Sequence, residues 1–255
     1  MSNLFDVSGK SILVTGASSG LGRSFAKLLA AEGAKVVVAA RRENALKELV
    51  AEIEGGGGRA HAVPMDVTDT GSVKSAVAKA EELTGGLDGL INNSGVAQLS
   101  LLLNETEEGW DRIIDTNLKG AWAVGVEVAR HMVKRNKGGS IVNTASLLGL
   151  RQAPGVTDYA VSKAGVIQLT KQMALEWARY GIRVNAIAPG YFETEINGDF
   201  LASERGKQLV QRVPMRRIGA HSELSGPILL LLSDAGSYMS GAVLSVDGGH
   251  AVNSV

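Results

Sequence analysis

"SILVTGASSGLG", residues 11–22, decides how this chain folds. Its first five residues, SILVT, form a short apolar run of the kind that makes a strand buried in a parallel sheet. The chain then breaks into glycine, with Gly16, Gly20 and Gly22 at a strand-to-helix turn. Glycine adopts positive φ freely, and without a Cβ it lets a backbone approach a ligand closely. The free N–H groups of the helix that follows favour a pyrophosphate. The spacing is G-x-x-x-G-x-G rather than the commoner G-x-G-x-x-G, so the nucleotide reading depends on its place after a first strand. Ser18, Ser19 and Leu21 belong to the same loop and are candidate cofactor contacts with the three glycines.

The strand–turn–helix unit recurs outward from there. Strands are predicted at 11–15, 35–40, 58–64, 87–92, 139–145, 182–188 and 242–246. Stretches of helical period separate them, at 20–32, 43–54, 70–84, 106–135, 157–180 and 221–232. This alternation predicts an α/β fold. One doubly wound Rossmann-type domain would span residues 1–255, its seven-stranded parallel sheet covered by helices on both faces. GGGG at 55–58 suits a flexible turn at a helix end. Residues 191–220 break the rhythm and read as an insertion that covers the substrate.

Composition narrows the function. Hydrophobic residues are 45% of the 255 and aromatics only 4%, so the core is expected to be aliphatic. The 26 basic residues balance the 26 acidic ones, which argues against a nucleic-acid surface. There is no cysteine, hence no disulfide, thiolate metal site or thiol nucleophile. His61, His131, His221 and His250 are scattered without metal-ligand spacing. The N-terminus lacks the apolar core of a signal peptide, and no apolar run approaches the ~20 residues that span a bilayer. A cytoplasmic protein without a membrane partner is expected.

In a doubly wound sheet, ligands bind outside the carboxyl ends of the strands. After the third strand, Asp66 offers an acceptor for an adenine amino group with the Val67 backbone beside it. It would equally cap a helix starting near 68–70. After the fourth, Asn93, Ser94 and Gly95 suit a loop passing close to a cofactor. Ser146 follows the fifth strand. After the sixth, Pro189 and Gly190 turn the chain, and Thr194 offers a hydroxyl to a phosphate or amide. Tyr159 and Lys163 stand at i and i+4 of a helix, on one face.

As a set and in this order, TGASSGLG, NNSG, Asn117, Ser146, the Tyr159/Lys163 pair and the Pro–Gly at 189–190 resemble the short-chain dehydrogenase/reductase family, over essentially the whole chain. Similarity to 3-oxoacyl-carrier-protein reductases and related ketone reductases is strong. Ser94 departs from the family, which usually has alanine there. The resemblance implies hydride transfer between a nicotinamide and a carbonyl/secondary alcohol pair of ketone or 3-oxoacyl type. Tyr159 would be the general acid/base, its pKa lowered from near ~10 by the Lys163 ammonium. Ser146 would orient and polarise the substrate oxygen. Asn117, within the long helix 106–135, would hold a water linking Lys163 to solvent. An NAD-dependent alcohol or polyol dehydrogenase, a nucleotide-sensing regulator on the same fold, and an epimerase or dehydratase are the alternatives.

The end of the second strand bears on the cofactor. NAD-specific relatives usually carry an aspartate there, where this chain has Ala40 followed by Arg41 and Arg42. An arginine fork matches a 2′-phosphate, so NADP(H) is expected over NAD(H), with Arg41 the main determinant. Ser18 and Ser19 count the other way, since many NADP-dependent relatives place a basic residue inside the glycine loop. Val96, Gln98, Leu147, Leu148, Arg151, Gln152, Val156, Tyr191, Phe192 and the segment 194–210 are expected to face the substrate. A homotetramer is expected. Its contacts would be small and apolar faces of the helices at 106–135 and 157–180 (Ala121, Ala123, Val124 and Val128; Val166, Leu169, Met173 and Leu175), with the last strand and VDGGH (246–250) near a second axis.

Overall fold

The computed structural model describes residues 3–194, 198 and 203–253. Seven strands form one parallel sheet: β1 (Ser11–Thr15), β2 (Lys35–Ala40), β3 (Arg59–Pro64), β4 (Gly89–Asn92), β5 (Gly139–Thr144), β6 (Ile182–Pro189) and β7 (Val243–Val246). Their spatial order is β3-β2-β1-β4-β5-β6-β7, every neighbouring pair parallel. The order reverses between β1 and β4, which opens a crevice at their carboxyl ends.

Side-chain alternation along the strands builds two cores. On one face Ile12, Val14, Val36, Val38, Ile91 and Ile187 meet α1 (Gly20–Ala31), α2 (Glu43–Gly55) and, near the C-terminus, α8 (Ser225–Leu232). On the other, Leu13, Val37, Leu90, Ile141 and Val184 meet α3 (Thr70–Thr84), α5 (Gly120–Arg135) and α6 (Thr157–Trp177). Every residue of β1 and β4 is buried, as expected of central strands covered on both sides. β7, the border strand, is only partly buried.

The helix expected at 106–135 is two helices. α4 (Glu107–Ile114) runs into a π-helical turn, Asp115–Lys119, before α5 begins. A π turn carries one residue too many for the α repeat, a local defect that apolar periodicity does not reveal. A short α7 (Glu204–Val210) lies within the irregular 191–220 stretch, and residues 195–197 and 199–202 of the expected substrate-facing segment lie outside the described residues.

Candidate active site

Gly16 and Gly20 have φ of +65° and +53°, so the turn after β1 needs residues that tolerate the left-handed region. A Cβ on Gly16 would stand 2.9 Å from the Ser94 Cα, so the loop after β4 packs directly on the glycine turn. The Thr15 hydroxyl fastens the two, accepting from the backbone N–H groups of Asn93 at 3.0 Å and Ser94 at 3.1 Å. The Asn93 amide returns the tie to the Thr15 carbonyl at 3.2 Å. Thr15 opens the TGASSGLG motif, and its role as this tie has one sequence signal, a hydroxyl on the last strand residue before the turn.

A cleft of about 640 Å³ runs along this edge. It brings together the glycine turn, Arg41, Arg42, Asp66, Val67, the 93–95 loop, Ser146, Tyr159, Lys163, Pro189, Gly190 and Thr194. Gly22 and Asn117, two residues expected in the site, do not line it. A Cβ on Gly22 would sit 2.4 Å from the Gly16 carbonyl oxygen, so its smallness lets α1 close against the turn from behind. Asn117 is buried and its carboxamide is used by protein: Oδ1 accepts from Val96 N at 2.8 Å, and Nδ2 donates to Val96 O at 2.9 Å and Ser162 Oγ at 3.1 Å. It anchors the loop after β4, with Gly95 between its Oδ1 and the Lys163 ammonium.

Ser19 occupies the N-cap of α1 without capping it. Its hydroxyl accepts instead from Arg42 Nη2 at 2.7 Å, and Ser18 accepts from the same guanidinium at 3.2 Å. The serines that counted against a basic residue in the loop therefore recruit one from the end of β2. Thr194 lies over Gly20, its Cγ2 3.5 Å from where a Cβ would be. Asp66 does not cap α3, whose N-cap is Asp69, bonded to Gly71 N at 2.8 Å. Its Oδ1 accepts from the Thr68 N–H at 3.0 Å and hydroxyl at 2.7 Å. The backbone bond is the main reason its pKa falls below the usual value, with Arg41 assisting.

Ser146 and Tyr159 meet where the cleft passes β5 and α6. Burial raises the Tyr159 pKa above its ordinary value, the Ser146 hydroxyl pulls it down, and Tyr191 adds to the rise. Lys163 is buried, its Nζ donating to the Thr144 carbonyl at 2.8 Å and standing 5.6 Å from the centre of the Tyr159 ring. Burial brings its pKa down to about 8. The expected lowering of the phenol's pKa is thus absent from the protein alone: burial opposes the charged form of both groups, and the ammonium is turned toward a carbonyl.

Of the residues expected to face the substrate, Val96, Leu147, Leu148, Val156 and Tyr191 line the cleft. Gln98 does not. Its amide donates to Asp158 at 2.9 Å and Glu105 at 2.6 Å and accepts from Arg112 at 2.6 Å, which ties the loop after β4 to the start of α6. Phe192 is buried in the core. Arg151 and Gln152 lie outside the lining, and Arg151 donates to the His250 carbonyl.

Ser146, Tyr159 and Lys163 line one end of this cleft. Residues 16–251 match the family model described as enoyl-(acyl carrier protein) reductase. The 3-oxoacyl-[acyl-carrier-protein] reductase FabG of Thermotoga maritima is 41% identical over 96% of this chain and 98% of its own. The gluconate 5-dehydrogenase of Gluconobacter oxydans is 40% identical over 98% of each. The chain belongs to the short-chain dehydrogenase/reductase family. Among solved structures, a short-chain type dehydrogenase/reductase from Mycobacterium marinum superposes with TM-score 0.92 at 39% identity, covering 97% of both chains. A gluconate 5-dehydrogenase from Burkholderia cenocepacia J2315, in complex with NADP and tartrate, gives 0.94 at 35% identity over 98% of both.

As a family member the protein is an NAD(P)-dependent oxidoreductase acting on CH–OH and C=O groups. Among the described residues no helix is long and apolar enough to cross a membrane.

Proposed function

We propose that the protein interconverts a carbonyl compound and its secondary alcohol using NADP(H) in preference to NAD(H). The observation that carries the reading is that Ser146, Tyr159 and Lys163 together line one end of a cleft whose other end is a glycine turn holding Arg42. The cleft fits a dinucleotide. Glycines keep its floor free of side chains, and α1 presents first-turn N–H groups that no side chain caps. When bound, the nicotinamide supplies the hydride for reduction or accepts it for oxidation.

The residues then divide the work. Ser146, whose Oγ accepts from Leu148 N at 3.1 Å, is held in the cleft lining with Tyr159 and turns its hydroxyl to the substrate oxygen. Tyr159 gives a proton to that oxygen as negative charge develops during reduction, and takes it back from the alcohol in the reverse direction. A phenol held above its ordinary pKa rests in the protonated form, which suits reduction. Lys163, still largely cationic at neutral pH, steadies the phenolate left behind and would hold the ribose. Asn117 fixes the loop that carries Gly95 and Val96. Gly16, Gly20, Leu21, Asp66, Val67, Asn93, Ser94, Pro189, Gly190 and Thr194 form the bed for the cofactor, and the 191–220 stretch covers the substrate. Arg41 and Arg42 take the 2′-phosphate, with no carboxylate at Ala40 to repel it.

Relatives include a 3-oxoacyl-[acyl-carrier-protein] reductase, a gluconate 5-dehydrogenase and an L-rhamnose 1-dehydrogenase, so the reaction class precedes the substrate. The test is loss of reduced-nicotinamide absorbance with NADPH and NADH over a panel of ketones, keto acids and 3-oxoacyl thioesters. Silence across the panel despite tight NADPH binding would sink the proposal.

The chain is also proposed to form a homotetramer. Ala121, Ala123, Val124, Val128, Val166 and Met173, expected at the interface, are core. Leu175, also expected there, is 75% exposed, and the exposed Trp122 and Val133 line, with Leu169, a groove of about 470 Å³ between α5 and α6. With the part-exposed border strand β7, this offers two separate apolar surfaces for other copies.

A further inference from the structure

His221 joins three segments that are far apart in the chain and meet at the cofactor end of the cleft. It opens the 3₁₀ turn His221–Leu224 that leads into α8. Its Nδ1 lies 2.7 Å from the Ser24 hydroxyl of α1, and its Nε2 lies 2.6 Å from the carbonyl oxygen of Glu193. Both ring nitrogens are therefore used within the protein. A carbonyl only accepts, so Nε2 carries a proton, and in the neutral ring the bare Nδ1 accepts from the Ser24 hydroxyl. Without the ring, that hydroxyl would be left with the Gly20 carbonyl, 3.3 Å away and one turn back in the same helix.

The bond to Glu193 takes the place of a backbone rung. Phe192 and Gly219 form a parallel bridge, with the Gly219 N–H donating to the Tyr191 carbonyl at 2.9 Å. In a parallel ladder carried on by one step, the Glu193 carbonyl would receive the backbone N–H of residue 221. The chain turns into its 3₁₀ segment there instead, and the His221 side chain supplies the donor. Residues 191–193 are in this way tied to 219–221 at both ends, and the next residue is Thr194. Thr194 lines the cleft, its Cγ2 3.5 Å from where a Cβ on Gly20 would be. Ser24 stands one helical turn beyond that same Gly20. The two bonds of His221 thus hold both sides of one gap, the first turn of α1 on one side and the approach to Thr194 on the other.

We propose that His221 is a positioning residue for the dinucleotide: with Ser24 it sets how Thr194 stands over the start of α1, and hence how well the cofactor's diphosphate fits between them. His221 does not line the cleft, so it acts through Thr194. The first-turn N–H groups of α1, which no side chain caps, favour an anion, and Thr194 held over them adds a hydroxyl. The diphosphate is common to NAD and NADP. The inference therefore rests on the dinucleotide reading of the cleft and is independent of which of the two is preferred.

The experiment is a double-mutant cycle on NADP⁺ and NAD⁺ binding by the full chain, measured by calorimetric titration. His221→Phe keeps a ring and removes both nitrogens; it should weaken the better-bound dinucleotide about tenfold. Ser24→Ala cuts the tie at its α1 end alone and should weaken it about threefold. In a Thr194→Ala background, His221→Phe should add less than about a threefold loss, because the residue through which it acts is already altered. Thermal unfolding of the cofactor-free proteins shows that each variant is folded; should the phenylalanine variant not fold, Ser24→Ala and its cycle with Thr194→Ala decide by the same measure. Wild-type affinity in the folded His221→Phe protein, whatever its Tm, makes the residue a purely structural tie and overturns the proposal. Full additivity with Thr194→Ala overturns it too, since His221 would then reach the cofactor by another route. A wild type that binds neither dinucleotide overturns the cofactor reading itself, and this inference with it.

Discussion

Lys163 donates to the carbonyl oxygen of Thr144 at 2.8 Å, a bond that ties a buried ammonium to the end of β5 instead of to the phenol one turn before it. The arrangement separates two tasks. The lysine is positioned by the sheet, so its charge stays in place while Tyr159 gains and loses a proton. Ser146, rather than Lys163, is the group that draws the phenol's pKa down.

Tyr159→Phe removes the transferable proton and leaves the ring to pack. General acid/base groups contribute about 10²–10⁴-fold, and turnover of NADPH with an accepted substrate should fall within that range. NADPH binding, followed by fluorescence, should persist. Retention of more than about a tenth of wild-type turnover would remove Tyr159 from the role, since a loss at the low end of the acid/base range is already larger.

The buried lysine makes stability depend on pH. Its folded pKa, about 8, lies below the ordinary lysine value of 10.5, so the unfolded chain binds more protons than the native one between those values. The penalty for burying the ammonium is complete below pH 8 and is relieved as pH rises toward 10. Chemical denaturation of the cofactor-free protein should show a stability difference, wild type minus Lys163→Met, that grows over this interval. A flat difference would mean that the ammonium is not desolvated as the structure indicates.

Arg42 is already held by Ser18 and Ser19, whereas Arg41 stands beside Asp66. Arg42→Ala should lower the ratio of kcat/KM for NADPH over NADH by about tenfold or more, the scale of a lost charged hydrogen bond. Combining Ala40→Asp with Arg41→Ala should lower it further by adding repulsion to the lost attraction. Wild-type preference for NADH, or a ratio unmoved by both changes, contradicts the assignment.

Gly22→Ala places a methyl 2.4 Å from the Gly16 carbonyl oxygen, a backbone atom that cannot swing aside. Overpacking of this kind costs about 1–3 kcal/mol. In a chain of this size the Tm should drop by roughly 2–4 °C for each kcal/mol. NADPH affinity should weaken as well, because the same methyl pushes on the turn. Calorimetry and a binding titration on one preparation check both effects.

Light scattering at micromolar concentration should give the mass of four chains. Replacing Leu175 and Trp122 by charged residues should reduce that mass without unfolding the protein, since both side chains are exposed in the single chain. A monomeric wild type would refute the assembly.

How much of this was legible in the sequence depends on the kind of signal. Strands were legible because central parallel strands are continuously apolar: β1, β2 and the carboxyl-edge residues Ser146, Tyr159 and Pro189 lie where periodicity and motif put them. Side-chain direction was not. Gln98 sits in a loop that reaches the cleft, yet its amide turns to Asp158, a partner 60 residues away that spacing cannot disclose. Nor does a list of residue types separate a glycine that faces a ligand, such as Gly16, from one that closes a helix onto a turn, such as Gly22. The ionisation of Tyr159 was misjudged for a similar reason: spacing reports that a cation is near, and burial, which acts in the opposite direction, appears only once the chain is folded.

The π turn at Asp115–Lys119 makes the length of this helical arm a constrained quantity. Deleting one residue from it would restore an ordinary α-helix at little local cost and leave both hydrophobic cores with their helices. It would also remove the bulge that carries Asn117, while α4 and α5 keep their phase because the surplus residue is the one taken out. The Asn117 carboxamide would then swing away from Val96, and the loop that walls the catalytic cleft would lose its anchor. Point substitutions in this segment are therefore expected to be tolerated far better than changes in its length.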